Sequence, residues 1–140
     1  MTRFVVDASV AIKWFVPEIH SDAAERLLTD KLELWVPDFI WAEFGNILLK
    51  KWRQGEISLE KARFILGAFR YFSLKAYSSE ALADAAWEIA SQFQRSFYDS
   101  LYLALAVQQG YRMVTADRRL YNALQSSRVA HHLLWVEDVP

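Results

Sequence analysis

Short apolar runs alternate with longer stretches of helical spacing along the chain. Phe4-Val5-Val6 stops abruptly on Asp7, and a run this short and β-branched predicts a strand buried on both faces. Ala8 to Phe15 then predicts a short helix, ended by Pro17. Ser21 or Asp22 caps a second helix, with Ala24, Leu27 and Leu28 on one face, and Leu34-Trp35-Val36 predicts the second strand. Pro37 and Asp38 open a helix rich in aromatics that runs to about Gln54 and stops at Gly55. Ser58 caps another, to about Phe72. Leu74 to Tyr77 predicts a third strand, and Ser78 and Ser79 introduce an alanine-rich helix to about Gln94. Ser96 to Gln109 is the most apolar helix, stopped by Gly110 and so expected to be central. Arg112 to Thr115 predicts the fourth strand, Asp117 to Leu124 a short helix, and Leu133 to Val136 the fifth strand.

The order is strand then helix throughout. Such alternation predicts an α/β fold: a parallel sheet covered by helices on both faces, with right-handed crossovers. The 140 residues suit a single domain spanning 1–140, and no repeat or linker interrupts them.

Composition sharpens the picture. A hydrophobic fraction of 54% excludes a disordered chain, and only four Gly and three Pro leave little room for long loops. The lack of cysteine excludes disulfides and thiolate metal sites, so any metal must be held by oxygen or by His20, His131 or His132. Asp7 and Lys13 break the apolar start before a secretory core forms, and no stretch is apolar enough for a membrane span. A soluble cytoplasmic protein is expected. The net charge of −1 does not announce a nucleic-acid partner, yet Phe44 to Lys75 carries seven basic residues against two acids.

Four acids stand out. Asp7 falls where the first strand emerges, the edge at which ligands bind in open parallel sheets, although an Asp there also caps the next helix. Glu43 lies among large apolar residues on a helical face shared with Asn46 and Lys50, where an ordinary polar stripe is the competing explanation. Asp99 opens the most apolar helix, either as its cap or as a partly buried acid in need of a partner. Asp117, after Val114-Thr115-Ala116, repeats the arrangement at Asp7. Four crowded carboxylates repel, and a divalent cation is the simplest relief. Oxygen ligands select a hard ion, Mg²⁺ or Mn²⁺, suited to phosphodiester chemistry. Ser9, Asn46 and Thr115 fit as groups that orient the carboxylates.

These residues resemble the PIN-domain ribonucleases, and particularly the VapC toxins of toxin–antitoxin pairs. The likeness lies in Val5-Val6-Asp7-Ala8-Ser9, Trp41-Ala42-Glu43-Phe44-Gly45-Asn46, Tyr98-Asp99-Ser100-Leu101-Tyr102-Leu103-Ala104 and Val114-Thr115-Ala116-Asp117, in order over nearly the whole chain. The resemblance implies a three-layer α/β/α fold around a five-stranded parallel sheet and a Mg²⁺- or Mn²⁺-dependent endoribonuclease. It implies a homodimer and a small antitoxin partner. On that view Asp7, Glu43, Asp99 and Asp117 hold the metal, supported by Ser9 and Thr115. Lys50, Lys51, Arg53, Arg118 and Arg119 are candidates to track the RNA backbone. Some of Trp14, Trp41, Trp52, Phe64, Phe69 and Phe72 would line a groove for an antitoxin helix.

Two other readings compete. A metal-dependent phosphatase or nuclease of another α/β fold also carries aspartates at strand ends, but a haloacid dehalogenase-like enzyme wants a second Asp where Ser9 stands. A non-catalytic PIN-like module for protein or RNA contacts is the other, and it has no need of four such acids.

Overall fold

Alternate residues of the strands face opposite sides of a sheet, and both sides are apolar in this chain. The computed structural model, which describes residues 1–140, has five parallel strands: β1 (Thr2–Val6), β2 (Leu32–Pro37), β3 (Leu74–Tyr77), β4 (Arg112–Thr115) and β5 (Leu133–Trp135). They lie in the order β3-β2-β1-β4-β5. The chain winds outward from β1 to one edge, then crosses back to build the other. The order therefore reverses between β1 and β4, and at such a switch point the loops leaving the two strands diverge and open a crevice.

Seven α-helices connect the strands: α1 (Ala8–Ala11), α2 (Ser21–Glu25), α3 (Ile40–Arg53), α4 (Leu59–Phe69), α5 (Ser79–Phe93), α6 (Phe97–Gln109) and α7 (Arg118–Leu124). On one face Val5, Val36, Met113 and Leu133 pack with α3 to α6, and α6 is the central helix its composition predicts, buried from Ser100 to Ala106. On the other face Phe4, Val6, Leu34, Val114 and Leu134 meet Ala23 and Ala24 of α2 and Leu27 just beyond it. The result is the expected three-layer α/β/α arrangement. Phe44 and Phe69 stack at 3.9 Å between ring centroids and fix α3 against α4. Either ring cut to Ala would cost about 3–5 kcal/mol. Phe69 is thus core, and Trp14 and Phe72 stack on each other at 5.2 Å, which leaves Trp41, Trp52 and Phe64 as the exposed members of the aromatic set.

Local chemistry sets the helix ends. Ser58, Ser78 and Ser96 accept from backbone N–H groups of α4, α5 and α6 as expected of caps. Two starts differ from expectation. His20, with φ of 68°, precedes α2, because the Ser21 hydroxyl is engaged instead with Glu18 N and Val16 O. Asp38 lies outside α3 and accepts from Ser79 N at 3.0 Å, tying the start of α3 to that of α5. No helix is long and apolar enough to cross a membrane.

Candidate active site

β1 and β4 are paired with Val6 opposite Val114, so the next residues, Asp7 and Thr115, emerge side by side at the switch point. Both are buried. Asp7 caps α1 by accepting from Val10 N at 3.1 Å through Oδ1. The same oxygen accepts from the Ser9 hydroxyl at 2.6 Å, and Oδ2 accepts from the Thr115 hydroxyl at 2.7 Å. Of the roughly four lone-pair directions of a carboxylate, three are taken and one on Oδ2 is free. The two hydroxyls also receive bonds: Ser9 Oγ from Ala116 N at 3.4 Å and Thr115 Oγ1 from Asp117 N at 3.1 Å. They therefore stitch the loop after β1 to the loop after β4.

Glu43 reaches the same place from the first turns of α3. Its Oε1 accepts from the Tyr102 hydroxyl, 2.7 Å away on α6. Tyr102 is buried, and a buried Tyr O–H needs a partner. Asp99 stands in the first turn of α6, and Ser96, not Asp99, caps that helix. Of the two explanations the sequence allows, Asp99 is therefore the partly buried acid. Asp117 caps α7, accepting from Leu120 N at 3.1 Å.

Asp7, Ser9, Glu43, Asp99, Tyr102 and Asp117 line one cleft of about 150 Å³. Its electrostatics are those of acids short of cations. Burial pushes the Asp7 carboxyl up to about 7, against the pull of Ser9, Thr115 and Val10, and the Asp99 charge adds to the rise. Burial likewise raises Glu43, with Tyr102 opposing and Asp99 adding, and raises Asp99, with Ser96 and Arg95 opposing and Asp117 adding. Such all-oxygen, under-compensated surroundings fit a hard divalent ion. No three acids close tightly enough on one point to cage an ion. That geometry suits Mg²⁺, which keeps several waters and takes one or two carboxylates directly.

The other candidates separate. Asn46 makes no hydrogen bond to any of the acids and lines a neighbouring cleft with Phe39, Ala42, Glu43 and Tyr98, so the structure gives it no part in orienting the carboxylates. Lys51 is engaged elsewhere: its ammonium donates to Glu18 at 2.9 Å and Glu56 at 3.2 Å, and Glu18 also takes the buried Lys13 at 2.9 Å. Lys50, Arg53, Arg118 and Arg119 are exposed. The Arg118 guanidinium lies over the Trp135 ring, 3.7 Å from its centroid. Sequence reasoning passed over Tyr102 as a partner of Glu43. A phenol one turn after Asp99 in an otherwise apolar helix was the available signal.

Known proteins share this frame. The family model described as PIN domain matches residues 4–124. Ribonuclease VapC3 of Pyrobaculum aerophilum is 33% identical over 120 residues, 84% of this chain and 92% of that protein. Ribonuclease VapC1 of Mycobacterium tuberculosis is 31% identical over 121 residues, 86% of this chain and 90% of its own. The crystal structure of PAE2754 from P. aerophilum superposes with a TM-score of 0.71 at 26% identity, covering 97% of this chain and 92% of that one. Sheet order, acid-lined switch point and relatives agree, and the chain belongs to the PIN domain family, on its VapC branch.

Proposed function

We propose that this protein is an endoribonuclease, the toxin member of a VapBC-like toxin–antitoxin pair, and that it works with Mg²⁺ or Mn²⁺. The observation that carries the reading is the convergence of Asp7, Glu43, Asp99 and Asp117, from four separate elements, on one cleft at the switch point. Asp7, Glu43, Asp99 and Asp117 would hold the ion, one or two directly and the others through its waters, and when bound it would supply charge neutralisation at the phosphate and activation of water.

The residues of the chain do the positioning. Ser9 and Thr115 fix both Asp7 oxygens and aim its free lone pair into the cleft. Tyr102 fixes Glu43. Asp7 holds an ion as a carboxylate, so its elevated pKa in the metal-free chain sets a proton against the ion below about pH 7, and more metal should be needed as the pH falls. Lys50, Arg53, Arg118 and Arg119 supply exposed positive charge for the RNA backbone. Purified protein is expected to cut end-labelled cellular RNA at a few discrete sites with Mn²⁺ or Mg²⁺. Cutting should stop with chelator or in Asp7→Asn; metal-independent or mutant-insensitive cutting would sink the reading, and a folded protein that binds RNA without cutting would make it a binding module.

For the antitoxin, Leu48, Leu49 and Trp52 of α3 and Leu59 and Leu66 of α4 border an apolar groove that suits one face of an amphipathic helix. Trp52→Glu should then abolish co-purification with the co-expressed antitoxin while cleavage persists. A dimer is the expected state, and a sedimentation run giving one monomeric species would refute it. The cytoplasm, where RNA is met, is the proposed location.

A further inference from the structure

Beside the acids lies a second cleft, of about 290 Å³, lined by Phe39, Ala42, Glu43, Asn46 and Tyr98. Glu43 borders both clefts, so the two are neighbours. We propose that this cleft seats one unpaired RNA base next to the phosphate being cut, with Tyr98 as the stacking surface and Asn46 as the group that reads the base edge. The proposal rests on the ribonuclease reading and names the form of substrate it takes.

Three observations converge on it. Tyr98 is 61% exposed although it is a large aromatic residue beside the site. Its ring stacks on Phe39 at 5.5 Å and 23°, and Phe39 packs in turn on Tyr102 at 5.2 Å. One face of Tyr98 is thus held by a chain of rings that ends on the partner of Glu43, and its exposure leaves the other face for a ligand. The side chain of Asn46, exposed and on the same wall, makes no hydrogen bond within the protein and offers two donors and an acceptor. No Lys or Arg lines the cleft, so a phosphate has no partner there, whereas a flat uncharged ring with a polar edge has both of the contacts it needs. A base in a duplex has its faces covered by neighbours. Single-stranded RNA alone can bring a bare one to an aromatic surface.

The test compares the wild type with Tyr98→Phe, Tyr98→Ala and Asn46→Ala. Binding of a fluorescein-labelled, base-randomised single-stranded oligoribonucleotide is measured with chelator present, so that nothing is cut. Cleavage of the same pool with Mn²⁺ is then sequenced at the cut ends. Tyr98→Ala should weaken binding and raise KM by roughly 10- to 100-fold, with kcat changed far less, while Tyr98→Phe keeps the wild-type values. Asn46→Ala should flatten the base preference at one position flanking the cut. Tyr98→Ala and Asn46→Ala matching the wild type in affinity, KM and cut-site distribution would overturn the proposal and leave the ribonuclease reading intact. Wild-type binding that depends on Tyr98, without any metal-dependent cutting, would uphold the base seat and overturn the ribonuclease reading. Failure of the wild type both to bind and to cut would remove both.

Discussion

Thr115 donates its hydroxyl to Asp7 at 2.7 Å across 108 residues of chain, and the same oxygen accepts from Asp117 N. One side chain therefore sets the orientation of the first acid and the path of the loop carrying the fourth. Asp7 remains a buried acid in spite of this support, because one hydroxyl and its neighbours do not replace the water lost on burial.

Stability of the metal-free protein should follow from that imbalance. The Asp7 pKa lies near 7 in the folded chain, against an ordinary value of 3.8. Below about pH 4 both folded and unfolded chains hold the proton; between about 4 and 7 only the folded chain does, so stability falls as pH rises, and above 7 the loss is complete. The ceiling is on the order of 4 kcal/mol, with Glu43 and Asp99 acting in the same direction. Asp7→Asn should gain stability over wild type in denaturant titrations at about pH 8 and lose most of that advantage at about pH 4. Parallel pH profiles for the two proteins would show that Asp7 is not the source.

Tyr102→Phe keeps the ring against Phe39 and removes only the bond to Glu43. Loss of a group that orients a metal-binding carboxylate typically costs about 10- to 100-fold in metal affinity or activity. The expected result is an activation curve displaced to higher Mn²⁺, with activity partly recovered at saturation. An unchanged curve means that Glu43 orients itself.

Lys50 and Lys51 are neighbours in sequence with different tasks. Lys50→Ala should leave the melting temperature alone and weaken RNA binding, lowering the salt slope by about one. Lys51→Ala should do the reverse, costing about 1–2 kcal/mol of stability through the loss of Glu18 and Glu56. Equal effects of both changes on the salt slope would contradict this division.

Gln94 ends α5 in the left-handed region, with φ of 53°. A side chain there is strained, and glycine relieves it. Gln94→Gly should raise stability by about 0.5–1 kcal/mol in denaturant titrations. A loss instead would mean that Gln94 makes a compensating contact.

Much of this was legible in the sequence because the strands are short apolar runs stopped by polar residues, and because serine caps mark α4, α5 and α6. Leu74 to Tyr77 and Arg112 to Thr115 fall where their patterns place them. The four acids were legible for a similar reason: each interrupts an apolar context that gives a charge no local excuse. What escaped notice depends on contacts between distant elements. Lys51 reads as one of a basic run until Glu18 and Glu56 are seen against it, and Asn46 reads as a partner of Glu43 until the wall it shares with Tyr98 is known. The sequence points to Ser21 or Asp22 as the cap of α2, but Ser21 bonds back to residues 16 and 18 and His20 stands at the cap position.

The place of β4 in the sheet has a further consequence. β4 lies between β1 and β5, and parallel strands cannot pair as a local hairpin. During synthesis Asp7 and Glu43 leave the ribosome long before the strand that brings Asp117 beside them. A chain that stops at Gln109 carries three of the four acids but lacks Thr115 and Asp117, and it is expected to leave RNA intact in the same end-labelled assay. Cutting is therefore expected only once β4 has docked on β1, a delay set by the order of the strands alone.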